Sequence, residues 1–510
     1  MQIDTQCFNV ADYLLDGKDD SRQALLTLQG SHTYGELRIA STAVANHLHG
    51  CGLQSGDRVI LAGENSFFWI AGYLGILRAG FVAVPIPPST SAENLKFIAE
   101  NTGARFAVVQ SNLVAKIGAA FDLQRLLVDR PLNPNAPVSS LTGLIEEDHF
   151  SERVLPKTSP SDLAALMFTS GSTGRPHGVM VSHQNIQANT ESIVEYLELK
   201  GFDRVMVVLP FHYCFGTSLL HTHLRVGGTL VLDSRFLYPE KVLQRMQETE
   251  CTGFAGVPSH YQILLEKTSL PRKAFPHLRY VQQAGGHLPP AAIRPLQAAL
   301  PNTKIFIMYG QTEATARLSY VPPEMLEAKS GSIGRGIPGV KLTVENEGKP
   351  VPPGQIGEIV AEGKNIALGY WRDPEETANV FRNGRLHTGD MATVDEDGFI
   401  SIVSRSRDFI KCGGTRVSCL QIEQQILECR EVAEVAVIGV PDEVMGEAVK
   451  AFVATRGEAG VTLDHIRRFC KTRLPFQLVP REIVVLAALP KNEAGKVLKE
   501  QLRRYGETQP

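Results

Sequence analysis

Apolar runs and the polar residues that break them divide the chain into short alternating pieces. Asp57–Gly63 has strand length. Ser66–Leu77 has helical length and is apolar nearly all round, the mark of a helix buried on every side. Phe81–Ile86 and Arg105–Gln110 read as strands again, with a helical stretch, Ala92–Glu100, between them. The alternation continues through the strand-like runs Arg204–Leu209, Gly228–Leu232 and Lys304–Met308. Strands that alternate with helices imply α/β units around a largely parallel sheet.

From about Lys341 the texture changes to short strand-like runs separated by Gly/Pro turns, the pattern of a small β-rich subdomain over 341–404. The segment Ser404–Gly414 is charged and then Gly-rich. Beyond it comes a compact α+β pattern: helix Leu420–Glu428, strands Val432–Val440 and Ala448–Thr455, helix Leu463–Arg473. The expected fold class is α/β. A large N-terminal domain of α/β layers (1–406), including the β-rich subdomain, precedes a small α+β C-terminal domain (407–510), with the boundary near Arg407.

Length agrees with this division, since 510 residues exceed one ordinary core. The most apolar stretch, Phe67 to Ile86, is interrupted by Arg78 and closed by Pro85, Pro87 and Pro88. It reads as a buried helix followed by a buried strand rather than a membrane span. The first residues show early acids and no basic-then-apolar pattern, so the expected location is cytoplasmic. A formal net charge of −3 supplies no broad basic field for nucleic acid. The eight cysteines are scattered without a C-x-x-C pair. They read as reduced thiols, and the loose group Cys412, Cys419 and Cys429 does not have zinc-site spacing.

Four segments carry candidate chemistry. In Phe168–Val179 (FTSGSTGRPHGV), three glycines and four hydroxyls fall together. Glycines let backbone N–H groups approach an anion, and hydroxyls add neutral donors. The residues suit a triphosphate cradle; the alternative from composition alone is a flexible Ser/Gly loop. The Walker pattern G-x-x-x-x-G-K-[ST] does not occur. In Met308–Ala314 (MYGQTEA), a strand-like run ends in an aromatic, a hydroxyl and a carboxylate. Tyr309 offers a ring face to a base, Thr312 a bond to phosphate, and Glu313 an oxygen ligand for Mg²⁺. In Leu386–Asp390 (LHTGD), Asp390 suits either a turn or a ribose contact. Pro490–Lys499 (PKNEAGKVLK) presents Lys496, which alone reads as one more solvated lysine.

In this order and at these intervals, the four segments resemble the acyl-adenylate-forming superfamily of acyl-CoA and acyl-carrier-protein synthetases, peptide-synthesis adenylation domains and luciferases. The resemblance spans nearly the whole chain. It implies a mobile C-terminal domain, an active site between the domains, and ATP-dependent activation of a carboxylic acid as acyl-AMP with release of pyrophosphate. The acyl group then passes to the thiol of CoA or of a carrier-protein phosphopantetheine. It assigns Thr169, Ser170, Gly171, Ser172, Thr173 and Gly174 to the phosphate loop, and Tyr309 to adenine. Thr312 goes to phosphate, Glu313 to Mg²⁺, Asp390 to ribose, and Arg405 to ribose and phosphate. Lys496 is assigned to catalysis of adenylation. Gly285 and Gly286 line the adenine and acyl pocket, and His212 gates the acyl site, with Phe215 beside it. Gly413 and Gly414 follow the hinge, where backbone would line a phosphopantetheine tunnel.

Two departures stand out. The family's phosphate loop usually ends Pro-Lys-Gly; here it is Pro176-His177-Gly178. Either backbone and hydroxyls hold the phosphates, or His177 carries a proton beside them. The hinge position, often Asp or Lys, is Arg407.

Peptide-synthesis domains usually anchor the substrate's amine on an Asp in the segment equivalent to Phe211–Leu220. No acid occurs there, and burying an unpaired ammonium is costly. Phe211, Tyr213, Phe215 and Leu219 suit an apolar acyl group, or plain core packing. His221 and His223, at i and i+2, point to different sides of a helix and read as packing or surface residues rather than a metal pair. The leading expectation is an acyl-CoA or acyl-carrier-protein synthetase. The alternatives are a stand-alone enzyme adenylating an amino acid such as proline, and a nucleotide-binding protein without catalysis.

Overall fold

The computed structural model describes residues 8–118, 120–133, 136–147, 157–170, 176–405, 409–412, 415–442, 446–456, 463–491 and 497–505. Within these the strands form four sheets. One expectation needs amendment, because the α/β part is built on two sheets rather than one. The first has seven strands, with Arg58–Ala62, Val82–Ile86, Phe106–Val109 and Leu126–Val128 running parallel. It ends in an antiparallel hairpin of Leu163–Ser170 and Pro176–Ser182. The second has nine strands. Its parallel centre holds Arg204–Val207, Thr229–Leu232, Gly253–Gly256, Tyr280–Gln283 and Lys304–Tyr309. Short antiparallel strands such as Ser31–Thr33 and Ser319–Val321 close its edges.

The helix Phe67–Arg78 starts where the Ser66 side chain accepts from the Trp69 N–H. It is buried from Phe68 onward, which is why its sequence shows no polar stripe. Gly75 lets it lie directly on the helix Tyr34–Gly50, since a Cβ there would meet Val44 at 2.6 Å. Arg78, which breaks the apolar run, is buried but paired. Its Nε donates to Asp12 at 3.0 Å and its Nη1 to Thr42 at 2.7 Å. No helix among the described residues is long and apolar enough to cross a membrane.

The third sheet is antiparallel and carries Val340–Asn346, Gly357–Gly363, Arg385–Val394 and Ile400–Arg405. The fourth contains Phe409–Cys412, Thr415–Ser418, Val432–Asp442, Gly446–Thr455 and Glu482–Leu486, with the helices Cys419–Leu427 and Leu463–Arg473 packed on it. Cys429 lies beside an acid and an imidazole. It donates to Glu431 at 3.1 Å, and His465 stands 3.4 Å from the same carboxylate oxygen.

His221 and His223 are both packing residues. They turn to different sides of the helix Cys214–Val226, the first to the Tyr73 hydroxyl at 2.9 Å and the second to the Tyr280 hydroxyl at 2.8 Å. Burial pulls their pKa values down to about 3 and about 4, so both stay neutral.

Candidate active site

Parallel strands present their carboxyl ends to one side of a sheet, where open α/β folds gather ligands. The strand Lys304–Tyr309 ends there in Tyr309 and Gly310. Gly310 has no substitute, because a Cβ would meet the Ala316 carbonyl oxygen at 1.9 Å. The tight return brings Thr312 and Glu313 beside the strand end, in the short helix Thr312–Ala314. Just beyond, Thr315 takes φ of 65°. A β-branched residue in the left-handed region stores about 1–3 kcal/mol of strain. Its hydroxyl donates to the Asn365 carbonyl at 2.7 Å and helps hold it there.

Several residues from distant segments meet around this turn. The Tyr309 hydroxyl donates to Asp390 at 2.6 Å. Asp390 is buried on the strand Arg385–Val394, and its ladder partner is Arg405. Glu358 steadies this strand, accepting from the Gly389 N–H at 3.0 Å and lying 2.9 Å from His387. The Thr312 hydroxyl donates to the Cys214 sulfur at 3.5 Å. Cys214 opens the helix Cys214–Val226, and burial pushes its thiol pKa up.

The segment assigned to the phosphates begins on the hairpin of Leu163–Ser170 and Pro176–Ser182. Thr169 lies opposite His177 and Ser170 opposite Pro176 in the ladder. Gly171, Ser172, Thr173 and Gly174 lie outside the described residues, as do Arg407, Gly413, Gly414 and Lys496. Of Ser170 and Arg405 only the backbone is described. The segment Ala367–Trp371 ties the hairpin to the Glu313 turn. The Ala367 N–H donates to the Glu313 carbonyl at 2.9 Å, and the Trp371 N–H to the Gly178 carbonyl at 2.8 Å. Tyr370 sits between the two, its hydroxyl donating to the Glu313 carboxylate at 2.9 Å and its ring meeting the His177 ring edge-on at 5.5 Å. Burial, then the Glu313 charge, drive the Tyr370 hydroxyl pKa far up, so it stays a donor.

His177 faces Asp373, with Nδ1 3.2 Å from the carboxylate. An imidazole engaged by an acid has less to offer a triphosphate. His177→Ala is therefore expected to leave ATP binding nearly unchanged, with a parent-to-variant ratio of dissociation constants near one from about pH 6 to about pH 9, across the imidazole range. A ratio that grows below neutral pH, together with tight, pH-flat binding by His177→Lys, would instead put His177 on a phosphate.

The acyl-site candidates occupy the segment after Leu209. His212 is buried and packs against the Tyr213 ring at 4.4 Å. Phe211 and Leu219 are fully buried core residues, Phe211 lying 5.3 Å from Trp69. Phe215 covers the guanidinium of Arg317 at 4.1 Å. Gly285 takes φ of 83°, and a Cβ on Gly286 would meet Pro258 at 3.2 Å. The Gln283 amide donates to the Gly286 carbonyl at 2.8 Å and fixes this turn.

Tyr370, Asp373 and Arg317 join the site from positions outside the motifs, while Cys214 and Gln283 lie inside marked segments without having been singled out. An aromatic after glycine, as in Gly369-Tyr370-Trp371, reads in one dimension like any packing residue.

The AMP-binding enzyme family matches residues 17–371, and the AMP-binding enzyme C-terminal domain matches residues 421–496. A feruloyl-CoA synthase of Amycolatopsis sp is 33% identical over 482 residues, covering 92% of this chain and 93% of that protein. A long-chain-fatty-acid–CoA ligase of Escherichia coli O6:H1 is 30% identical over 505 residues, covering 92% of this chain and 89% of that protein. ATP-bound MatB from Rhodopseudomonas palustris superposes with a TM-score of 0.87 at 29% identity, covering 98% of this chain and 99% of that one. The chain thus belongs to the AMP-binding enzyme family, among the AMP-forming acyl-CoA ligases of the acyl-adenylate-forming superfamily.

Proposed function

We propose that this enzyme activates a fatty or aryl carboxylic acid with ATP and transfers the acyl group to CoA. The observation that carries the reading is the Tyr309–Asp390 pair, an aromatic face beside a buried carboxylate, one turn from Thr312 and Glu313. Tyr309 lies against adenine, and Asp390 with Arg405 holds the ribose. Thr312 and the hairpin of Thr169, Ser170 and the glycines after them hold the phosphates. Glu313 would hold Mg²⁺ through its hard carboxylate oxygen, and such an ion would offset charge on the phosphate oxygens.

The substrate carboxylate oxygen attacks the α-phosphorus, forming the acyl–phosphate bond, while the bond to the β-phosphate breaks and pyrophosphate leaves. Lys496 meets the charge that develops there. The thiol sulfur then attacks the acyl carbon and AMP departs. Lys496 has to withdraw between the two steps, which calls for a moving domain.

The proposed hinge is Arg407, with the domains at 1–406 and 407–510. The third sheet ends at Arg405 and the fourth begins at Phe409, which supports this division. The two sides meet through polar contacts: Gln262 donates to the Ala433 carbonyl at 3.1 Å, and Gln424 lies 3.1 Å from His287, next to Gly286. Such contacts can be broken and remade.

CoA is favoured over a carrier protein because the relatives above are CoA ligases. The amino-acid alternative finds no acid for its ammonium in Phe211–Leu220.

The test is pyrophosphate exchange with fatty, aryl and amino acids, followed by transfer to CoA or to a phosphopantetheinylated carrier protein. Exchange with fatty or aryl acids and a thioester on CoA are expected. Exchange confined to amino acids, with a thioester on the carrier alone, would reverse the reading. No exchange with any acid would remove catalysis.

A further inference from the structure

Arg317 is 1% exposed and is one of the largest fully buried side chains among the described residues. Its contacts are unlike those of Arg78, which meets Asp12. The Arg317 Nε donates to the Met308 sulfur at 3.4 Å, and the guanidinium carbon lies over the Phe215 ring at 4.1 Å. Nη2 is buried without a protein hydrogen-bond partner, and no carboxylate among the described residues pairs with the group. The Tyr196 hydroxyl also meets the Arg317 side chain. A thioether, a neutral hydroxyl and a ring face leave its charge unbalanced. A water molecule could accept from Nη2 but would not balance the charge. Burying an unpaired cation is costly, and burial pulls the Arg317 pKa down. A protein keeps such a group where function needs it.

The surroundings say what that function is. Phe215 and Cys214 belong to the acyl-site segment, and the Cys214 sulfur touches Thr312, the candidate phosphate contact. A line of contacts therefore runs from Thr312, past Cys214 and Phe215, to Arg317. Ala316, Cys214, Asn189 and Ser218 line a cavity of about 20 Å³, room for one water. Arg317 itself does not line that cavity and Nη2 is closed off from solvent, so a ligand atom meets it only if the side chains packed over it move.

We propose that Arg317 determines acid specificity by selecting substrates that carry a second oxygen acceptor at the end remote from the carboxylate being activated. The acceptor is either a second carboxylate or a neutral carbonyl oxygen. This rests on the acyl-activating function proposed above. The apolar segment Phe211–Leu220 then accommodates the middle of the substrate, not its end.

The test uses pyrophosphate exchange by the full chain on acids of graded length, each ending in methyl, ketone or carboxylate. The parent is expected to favour ketone- or carboxylate-ended acids by about a hundredfold in kcat/KM, the value of one hydrogen bond to a charged group. The ketone and carboxylate arms tell a neutral acceptor from an ionised one. Arg317→Met should invert the preference towards methyl-ended acids. Its melting temperature should be unchanged or higher, because an unpaired buried charge is gone. Arg317→Lys should retain part of the preference.

Equal use of methyl-ended acids by the parent would overturn the proposal without touching the activating function, and this arm needs no variant. A uniform loss across all acids in Arg317→Met, with a lowered melting temperature, would make Arg317 structural and also overturn it. No exchange by the parent with any acid would remove the activating function and this inference together.

Discussion

Lys496→Ala is expected to cut formation of acyl-AMP by about 10²–10³-fold, the usual loss when one charge-stabilising donor is removed from a transition state. Transfer from supplied acyl-AMP to CoA should be largely spared. The reason is geometric: the same ammonium cannot stand at the α-phosphate and leave room for an incoming thiol. The measurement is the two half-reactions run separately, pyrophosphate exchange for the first and thioester formation from synthetic acyl-AMP for the second. Equal loss in both would sink the assignment and leave Lys496 as a solvated lysine.

Asp390→Ala is expected to raise the KM for ATP by about 10- to 100-fold, the value of a hydrogen bond to a charged group, while moving the KM for the acid little. Tyr309 and Asp390 are bonded to each other, so the two are separated by a second variant. Tyr309→Phe keeps the ring and leaves the carboxylate in place, and should weaken ATP use far less. Removing the carboxylate takes away one acceptor of the half-buried Tyr309 hydroxyl, so the melting temperature of Asp390→Ala should be recorded beside its kinetics. Unchanged ATP dependence in a folded Asp390→Ala protein would make the LHTGD segment an ordinary turn.

The local elements were legible in the sequence because each depends on residues close along the chain. The alternation of apolar runs marked Arg58–Ala62, Phe67–Arg78 and Val82–Ile86 within a residue or two. The order of the glycine-rich stretch, the YGQTE turn, the LHTGD strand and the terminal lysine segment was enough to indicate the family, since each motif is local and their sequence order is itself information. Two separate sheets were not legible, because every parallel strand looks alike until its neighbours are known. Nor were the partners of the site residues. Tyr309 meets Asp390 across 81 positions, Glu313 meets Tyr370 across 57, and His177 meets an aspartate nearly two hundred residues on. Arg317 shows the limit most plainly. In one dimension it is a charged residue eight positions past a tyrosine, expected in water. Only the packing of Met308 and Phe215 around it removes the solvent, and that burial turns an unremarkable arginine into a cation with a demand for an acceptor.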